Sequence, residues 1–157
     1  MKIRLLIFLS VLLFTMTQAY AETGHIYIFV SFSMPKTSIK GWMSEAEIAH
    51  ASVQIRGLVN NSFKDTIKRV GELTKDNRGG LQINPKLFEQ FQINQVPAVV
   101  VTSDVSCPPN ISCMAPFDVI YGDITLAYAL QKIADRNDAV SAIAKNALNK
   151  LRENHAA

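Results

Sequence analysis

The chain has 157 residues, 48% hydrophobic and 18% charged, which suits one domain with its own core and excludes an intrinsically disordered chain. Its formal charge is only +3, and Lys2 and Arg4 supply two of those charges from a segment expected to be removed, leaving +1. With no basic stripe and no aromatic-basic interleaving, that balance excludes a general nucleic-acid footprint.

Residues 1–21 read as a secretory signal. Lys2 and Arg4 form a positive start, residues 5–14 are an apolar run broken only by Ser10, and Ala19-Tyr20-Ala21 has the small-x-small pattern of a cleavage site. Cleavage is expected between Ala21 and Glu22. An uncleaved anchor is the competing reading, but a span needs about 20 apolar residues, and Thr15, Thr17 and Gln18 end this run early. No later segment has the length and hydropathy to span a bilayer, so residues 22–157 are expected to form a single exported domain. Export changes how Cys107 and Cys113 are read. An even count in an oxidising compartment favours a disulfide closing a short loop, whereas five intervening residues do not make the Cys-x-x-Cys redox arrangement. Two free thiols, or a catalytic pair, is the alternative.

The exported part opens with residues 25–31, a nearly continuous β-branched and aromatic run expected as a strand buried on both faces. Met34-Pro35 ends the strand and opens a helix in which Ile39, Met43, Ala46 and Ala49 recur at helical spacing. Trp42 falls at the edge of that stripe and is expected to be half exposed, the kind of residue enriched at interfaces. Residues 52–58 form a second strand. Ser62 caps a helix over residues 63–74 whose expected buried face is Phe63, Ile67, Val70 and Leu73. Residues 76–80 form a turn, and Asn84-Pro85 starts a short helix burying Leu87, Phe88 and Phe91. Residues 93–97 turn into an apolar strand at 98–102, and the cysteine loop joins it to a strand at 117–121. Asp123 is expected to cap a helix carrying Leu126, Leu130 and Ile133. A last helix over residues 139–152 carries a broad apolar stripe, expected to pack on its own domain, with docking on another protein as the alternative. Strands alternating with helices and closed by a hairpin predict an α/β fold with a mixed sheet, its first two strands parallel.

Two segments make this more specific. In residues 29–36, Phe-Val-Ser-Phe-Ser-Met-Pro-Lys resembles a thioredoxin strand running into its active-site helix. Phe32 stands at the aromatic position, Ser33 at the first cysteine, Pro35 at the proline and Lys36 at the second cysteine. Residues 88–101 are similar to the thioredoxin segment that leads through a cis-proline, here Val96-Pro97, into a strand facing that helix. The resemblance implies a thioredoxin-like four-stranded mixed sheet flanked by helices, with an extra C-terminal helix. It implies no thiol chemistry at this site, because disulfide exchange needs a thiolate and neither Ser33 nor Lys36 carries sulfur.

The chain also resembles the TrbC pilus-assembly proteins of F-type conjugative transfer systems. The motifs are residues 29–35, the run Arg56-Gly-Leu-Val-Asn-Asn-Ser-Phe63, Ile83-Asn84-Pro85 with Phe88, Val96-Pro97, and the run Tyr121-Gly-Asp-Ile-Thr-Leu126. That resemblance implies a periplasmic, redox-inactive assembly factor for the conjugative pilus of a type IV secretion system, working with other envelope proteins or pilin. Some relatives carry a second assembly domain, for which this chain is expected to be too short.

Ser33, Met34, Pro35 and Lys36 with Val96 and Pro97 are the expected groove for an extended peptide, paired through the Val96 backbone. On the plainer reading, Pro35 only starts a helix and Pro97 only starts a strand. Arg56, near a strand end, is expected to pair internally with Asp65 or Glu72, with a partner's carboxylate as the alternative ligand. His25, His50 and His155 are scattered, so neither a metal nor a cofactor is expected. The rival from the enzyme class is a periplasmic thiol-disulfide oxidoreductase or isomerase using Cys107 and Cys113. A third reading is a chaperone that holds pilin-like peptides.

Overall fold

The computed structural model describes residues 23–75, 80–104 and 113–156. The expected signal segment with its cleavage point, Cys107 and most of the expected turn at 76–80 lie outside the described residues.

The elements are β1 (Gly24–Val30), α1 (Lys36–Ala49), β2 (Ser52–Ile55), α2 (Phe63–Thr74), β3 (Leu81–Ile83), α3 (Pro85–Gln90), β4 (Ala98–Ser103), β5 (Phe117–Tyr121), α4 (Leu126–Ala134) and α5 (Ser141–Ala156). The described strands form one sheet in the order β3-β2-β1-β4-β5. β1 runs parallel to β2 and β2 to β3, while β4 is antiparallel to both of its neighbours. The expected mixed α/β sheet flanked by helices is observed, with five strands rather than four. β3 was missed because three residues are too few to show a period, and its partner makes it a strand. Val53 pairs with Leu81 and Ile55 with Ile83, and Gln54 Nε2 donates to Gln82 Oε1 at 3.1 Å.

Alternation along β1 divides the interior in two. Ile26, Ile28 and Val30 face the larger core, with Ile39 and Met43 of α1, Leu126 and Leu130 of α4, and Leu148 and Leu151 of α5. Phe29 faces the opposite side and packs with Phe88, Phe91, Ile93, Ala98 and Val100. Burying a side chain of the size of Ile, Val or Phe contributes about 1.5–3 kcal/mol over exposure, and β4 is shared in the same way as β1, with Val99 and Val101 in the larger core and Ala98 and Val100 in the smaller. The stripe of α5 is buried within its own domain. No helix among the described residues is long and apolar enough to cross a membrane.

Two helix faces differ from expectation. In α2 Leu73 is buried, but Phe63 is 65% and Ile67 56% exposed. The helix is rolled so that Thr66 points inward, where its hydroxyl accepts from the Val59 amide at 2.9 Å and donates to the Ser62 carbonyl at 2.7 Å. The cap of α4 is Thr125, not Asp123: its hydroxyl accepts from the Tyr128 amide, while Glu45 of α1 accepts from the Leu126 amide at 2.6 Å. A carboxylate from a neighbouring helix thus satisfies a first-turn N–H that has no partner within its own helix.

The start of α1 is tied to α2. Lys36 stands in the first turn, where the helix dipole disfavours a cation, and its Nζ donates to Glu72 Oε2 at 2.5 Å. The hydrogen bond from Lys36, followed by its charge, holds the Glu72 carboxyl below the ordinary carboxylate range.

Two glycines provide opposite tests. A Cβ on Gly24 would run into the Thr102 carbonyl of the paired strand and Ile143 of α5, whereas one on Gly41, within α1, meets nothing within 4 Å. Gly24→Ala should cost about 1–3 kcal/mol and Gly41→Ala should stabilise by up to about 1 kcal/mol, both read from urea unfolding at unchanged m. The Lys36–Glu72 pair yields a pH test. Because Glu72 titrates lower in the folded than in the unfolded chain, its contribution is full above the unfolded carboxylate pKa. It is lost as pH falls through the folded value. Glu72→Gln should therefore flatten part of the acid limb of the stability curve, and high salt should do the same to the parent protein, since the pair is exposed. Identical acid limbs with and without Glu72 would show that the pair adds nothing.

Candidate functional site

Three chain segments converge at the sheet end where β1 stops and β4 begins. The first is the exit of β1. The Met34 amide donates to the Ser31 carbonyl at 3.0 Å, closing a turn, and the Ser31 and Ser33 hydroxyls lie 2.9 Å apart. Pro35 then stands at the N-cap of α1, with no side chain capping the helix.

The second segment leads into β4. The Ile93 amide donates to the Phe88 carbonyl at 2.8 Å, ending α3 in a tight return. The Val96–Pro97 peptide bond is cis, and the Pro97 carbonyl accepts from the Gly122 amide at 3.0 Å. Phe29 pairs with Ala98, so carrying that register onward sets Val30 opposite Pro97 and Ser31 opposite Val96.

The third segment follows β2, which stops at Ile55, shorter than expected. Residues 56–60 instead form a wall, ended by a 3-10 turn at Val59–Asn61. Asn60 and Asn61 hold positive φ values of 48° and 53°. Asn is among the few residues that adopt the left-handed region readily, and adjacent positions there are a local strain typical of ligand-facing segments. The bond from the Val59 amide to Thr66 holds this wall against α2.

Between these segments lies a cleft of about 600 Å³, with Ser33, Arg56, Leu58, Asn60, Phe88 and Val96 among its lining residues. Its walls are largely apolar, and Arg56 is the one charged side chain among the described residues lining it. The guanidinium donates to the Ile93 carbonyl and lies over the Phe88 ring, 5.0 Å from its centroid. The expected internal ion pair of Arg56 is therefore not formed. Glu72 is held by Lys36, and Asp65 borders a separate shallow hollow beside Phe32 and Lys68.

Of the residues singled out from sequence, Ser33, Arg56 and Val96 line the cleft, and Pro97 follows directly at its edge. Met34 packs partly against the larger core, Pro35 is exposed at the helix mouth, and Lys36 reaches toward Glu72. Trp42 is a correction. It is only 4% exposed, because the buried stripe of α1 runs Ile39, Trp42, Met43, Ala46, Ala49 and takes the indole into the core. Leu58 and Asn60 were not among the expected site residues. The Asn60-Asn61 pair was the available signal, a dipeptide suited to a left-handed turn. Chemically the cleft offers two hydroxyls, three carboxamides from Asn60, Asn94 and Gln95, one guanidinium and an apolar remainder. With no sulfur at Ser33 or Lys36, thiol-disulfide exchange cannot run through these positions.

Residues 28–133 match the family of type-F conjugative transfer system pilin assembly proteins. The match takes in all three segments of the cleft. The chain is 37% identical over 116 residues to the periplasmic protein TrbC of Escherichia coli (strain K12), across 73% of this chain and 50% of that protein. It thus spans about half the length of that curated relative. No solved structure matches it significantly. The family is one of pilin assembly proteins rather than of enzymes, and this chain belongs to it, as a type-F conjugative transfer system pilin assembly protein.

Proposed function

We propose that this protein is a periplasmic, redox-inactive, thioredoxin-like assembly factor for the conjugative pilus of a type IV secretion system. It works by holding an extended segment of pilin or of another envelope protein in the cleft. The observation that carries this reading is the convergence of Ser33, at the mouth of α1, and Val96, before the cis-proline, on one cleft of about 600 Å³. An extended segment entering there adds to the sheet end through the Val96 backbone, with side chains seated against Leu58 and Phe88. Residues 1–21 serve as the export signal, in keeping with the periplasmic name of the Escherichia coli relative. Cys107 and Cys113 brace the loop between β4 and β5 as a structural disulfide.

Leu58 is 38% exposed at the cleft wall, so Leu58→Glu places a charge in the cleft with little effect on folding. In cells lacking this protein, a plasmid copy should restore pilus display and mating. The Leu58→Glu copy should restore mating at least about tenfold less well, the scale of a single lost anchor contact. Pilus numbers and mating equal to the parent copy would remove the cleft from the function. The rival oxidoreductase reading is tested separately by insulin reduction: no turnover is expected, and turnover that vanishes in Cys107→Ser would replace the binding reading with a catalytic one.

A further inference from the structure

We infer that the cleft selects a segment bearing a carboxylate, set against Arg56; this rests on the peptide-binding reading above and names its ligand chemistry. Three observations carry it. Arg56 is the only charged side chain among the described residues that line the cleft, so the site has one sign of charge and no counter-ion of its own. The two carboxylates nearest in expectation do not line the cleft: Glu72 is bound by Lys36 at 2.5 Å, and both Glu72 and Asp65 line an adjoining hollow that shares Phe32 and Val59 with it. None of the ion pairs among the described residues includes Arg56.

The third observation is how the guanidinium is held. Its two contacts, the Ile93 carbonyl and the Phe88 ring, are both neutral. They orient the planar group without cancelling its charge. A guanidinium has five N–H donors, and one carbonyl leaves enough of them for a forked pair with a carboxylate. Arg56 is itself exposed to solvent, so water and salt screen such a pair and its contribution is modest. The group stands exposed at the cleft wall with Asn60 and Asn94 in the same lining, whose amides are suited to a peptide backbone.

Three short probes separate the possibilities: acetyl-Val-Glu-Val-Thr-amide, acetyl-Val-Gln-Val-Thr-amide, and the same Gln peptide with a free C-terminal acid. Amide chemical shifts of the parent protein are followed as each is titrated to millimolar concentration. The expected result is that a carboxylate-bearing probe shifts the amides of Ser33, Asn60 and Val96 and binds about two- to fivefold more tightly than the neutral peptide. The stronger of the two acidic probes identifies a side-chain or a terminal carboxylate as the ligand. The preference should vanish in Arg56→Gln, shrink in Arg56→Lys, which keeps the charge but not the fork, and weaken as salt is raised. Equal affinity of all three probes at the cleft overturns the carboxylate inference and leaves the peptide-binding reading standing. Absence of any shift at the cleft with all three overturns both.

Discussion

The antiparallel ladder between β1 and β4 governs where a site can form. Its register sets Phe29 beside Ala98, so the end of one strand and the start of the other meet at the same end of the sheet. Whatever follows β1 and whatever precedes β4 must then face each other. Residues 31–35 follow, residues 93–97 precede, and the space between them is the cleft. A shift of that ladder by one residue would turn Phe29 out of its own core and separate the walls together.

The interior is arranged to resist such a shift. β1 sends alternate side chains into two cores of unlike composition. The larger is aliphatic apart from Trp42 and closed by α1, α4 and α5. The smaller is aromatic: Phe29 meets Phe88 edge-on at 4.7 Å between centroids, and Phe91 meets Phe117 at 5.0 Å. Edge-to-face pairs have a preferred geometry as well as area, so this side also fixes how α3 sits. The ring of Phe88 serves both purposes, as core packing toward Phe29 and as the surface under Arg56.

Family membership and geometry concern different levels of the same problem. Membership in a pilin assembly family says in which process the chain takes part. The cleft says what kind of contact the fold is able to offer: backbone at the end of the sheet, a lining of apolar and polar side chains, and one cation. Neither Ser33 nor Lys36 carries sulfur, so thiol exchange has no nucleophile at these two positions.

The residue pattern by itself determined the order of the elements other than β3, the parallel start and hairpin close of the sheet, the caps at Ser62 and Asn84, and the proline turn before β4. These follow from local rules: capping chemistry, periodicity and the restricted φ of proline act over a few neighbouring residues. Tertiary structure alone decided the rest. β3 exists because β2 offers it a partner. Phe63 and Ile67 stay exposed because the Thr66 hydroxyl bridges the Val59 and Ser62 backbones and rolls α2. Trp42 is buried because α4 and α5 close over the core that its helix faces. Arg56 lines the cleft on the Ile93 carbonyl and the Phe88 ring, paired with neither Asp65 nor Glu72, its two expected partners. Such choices among competing partners depend on which groups the sheet brings within reach, and a pattern read along the chain has no measure of that distance.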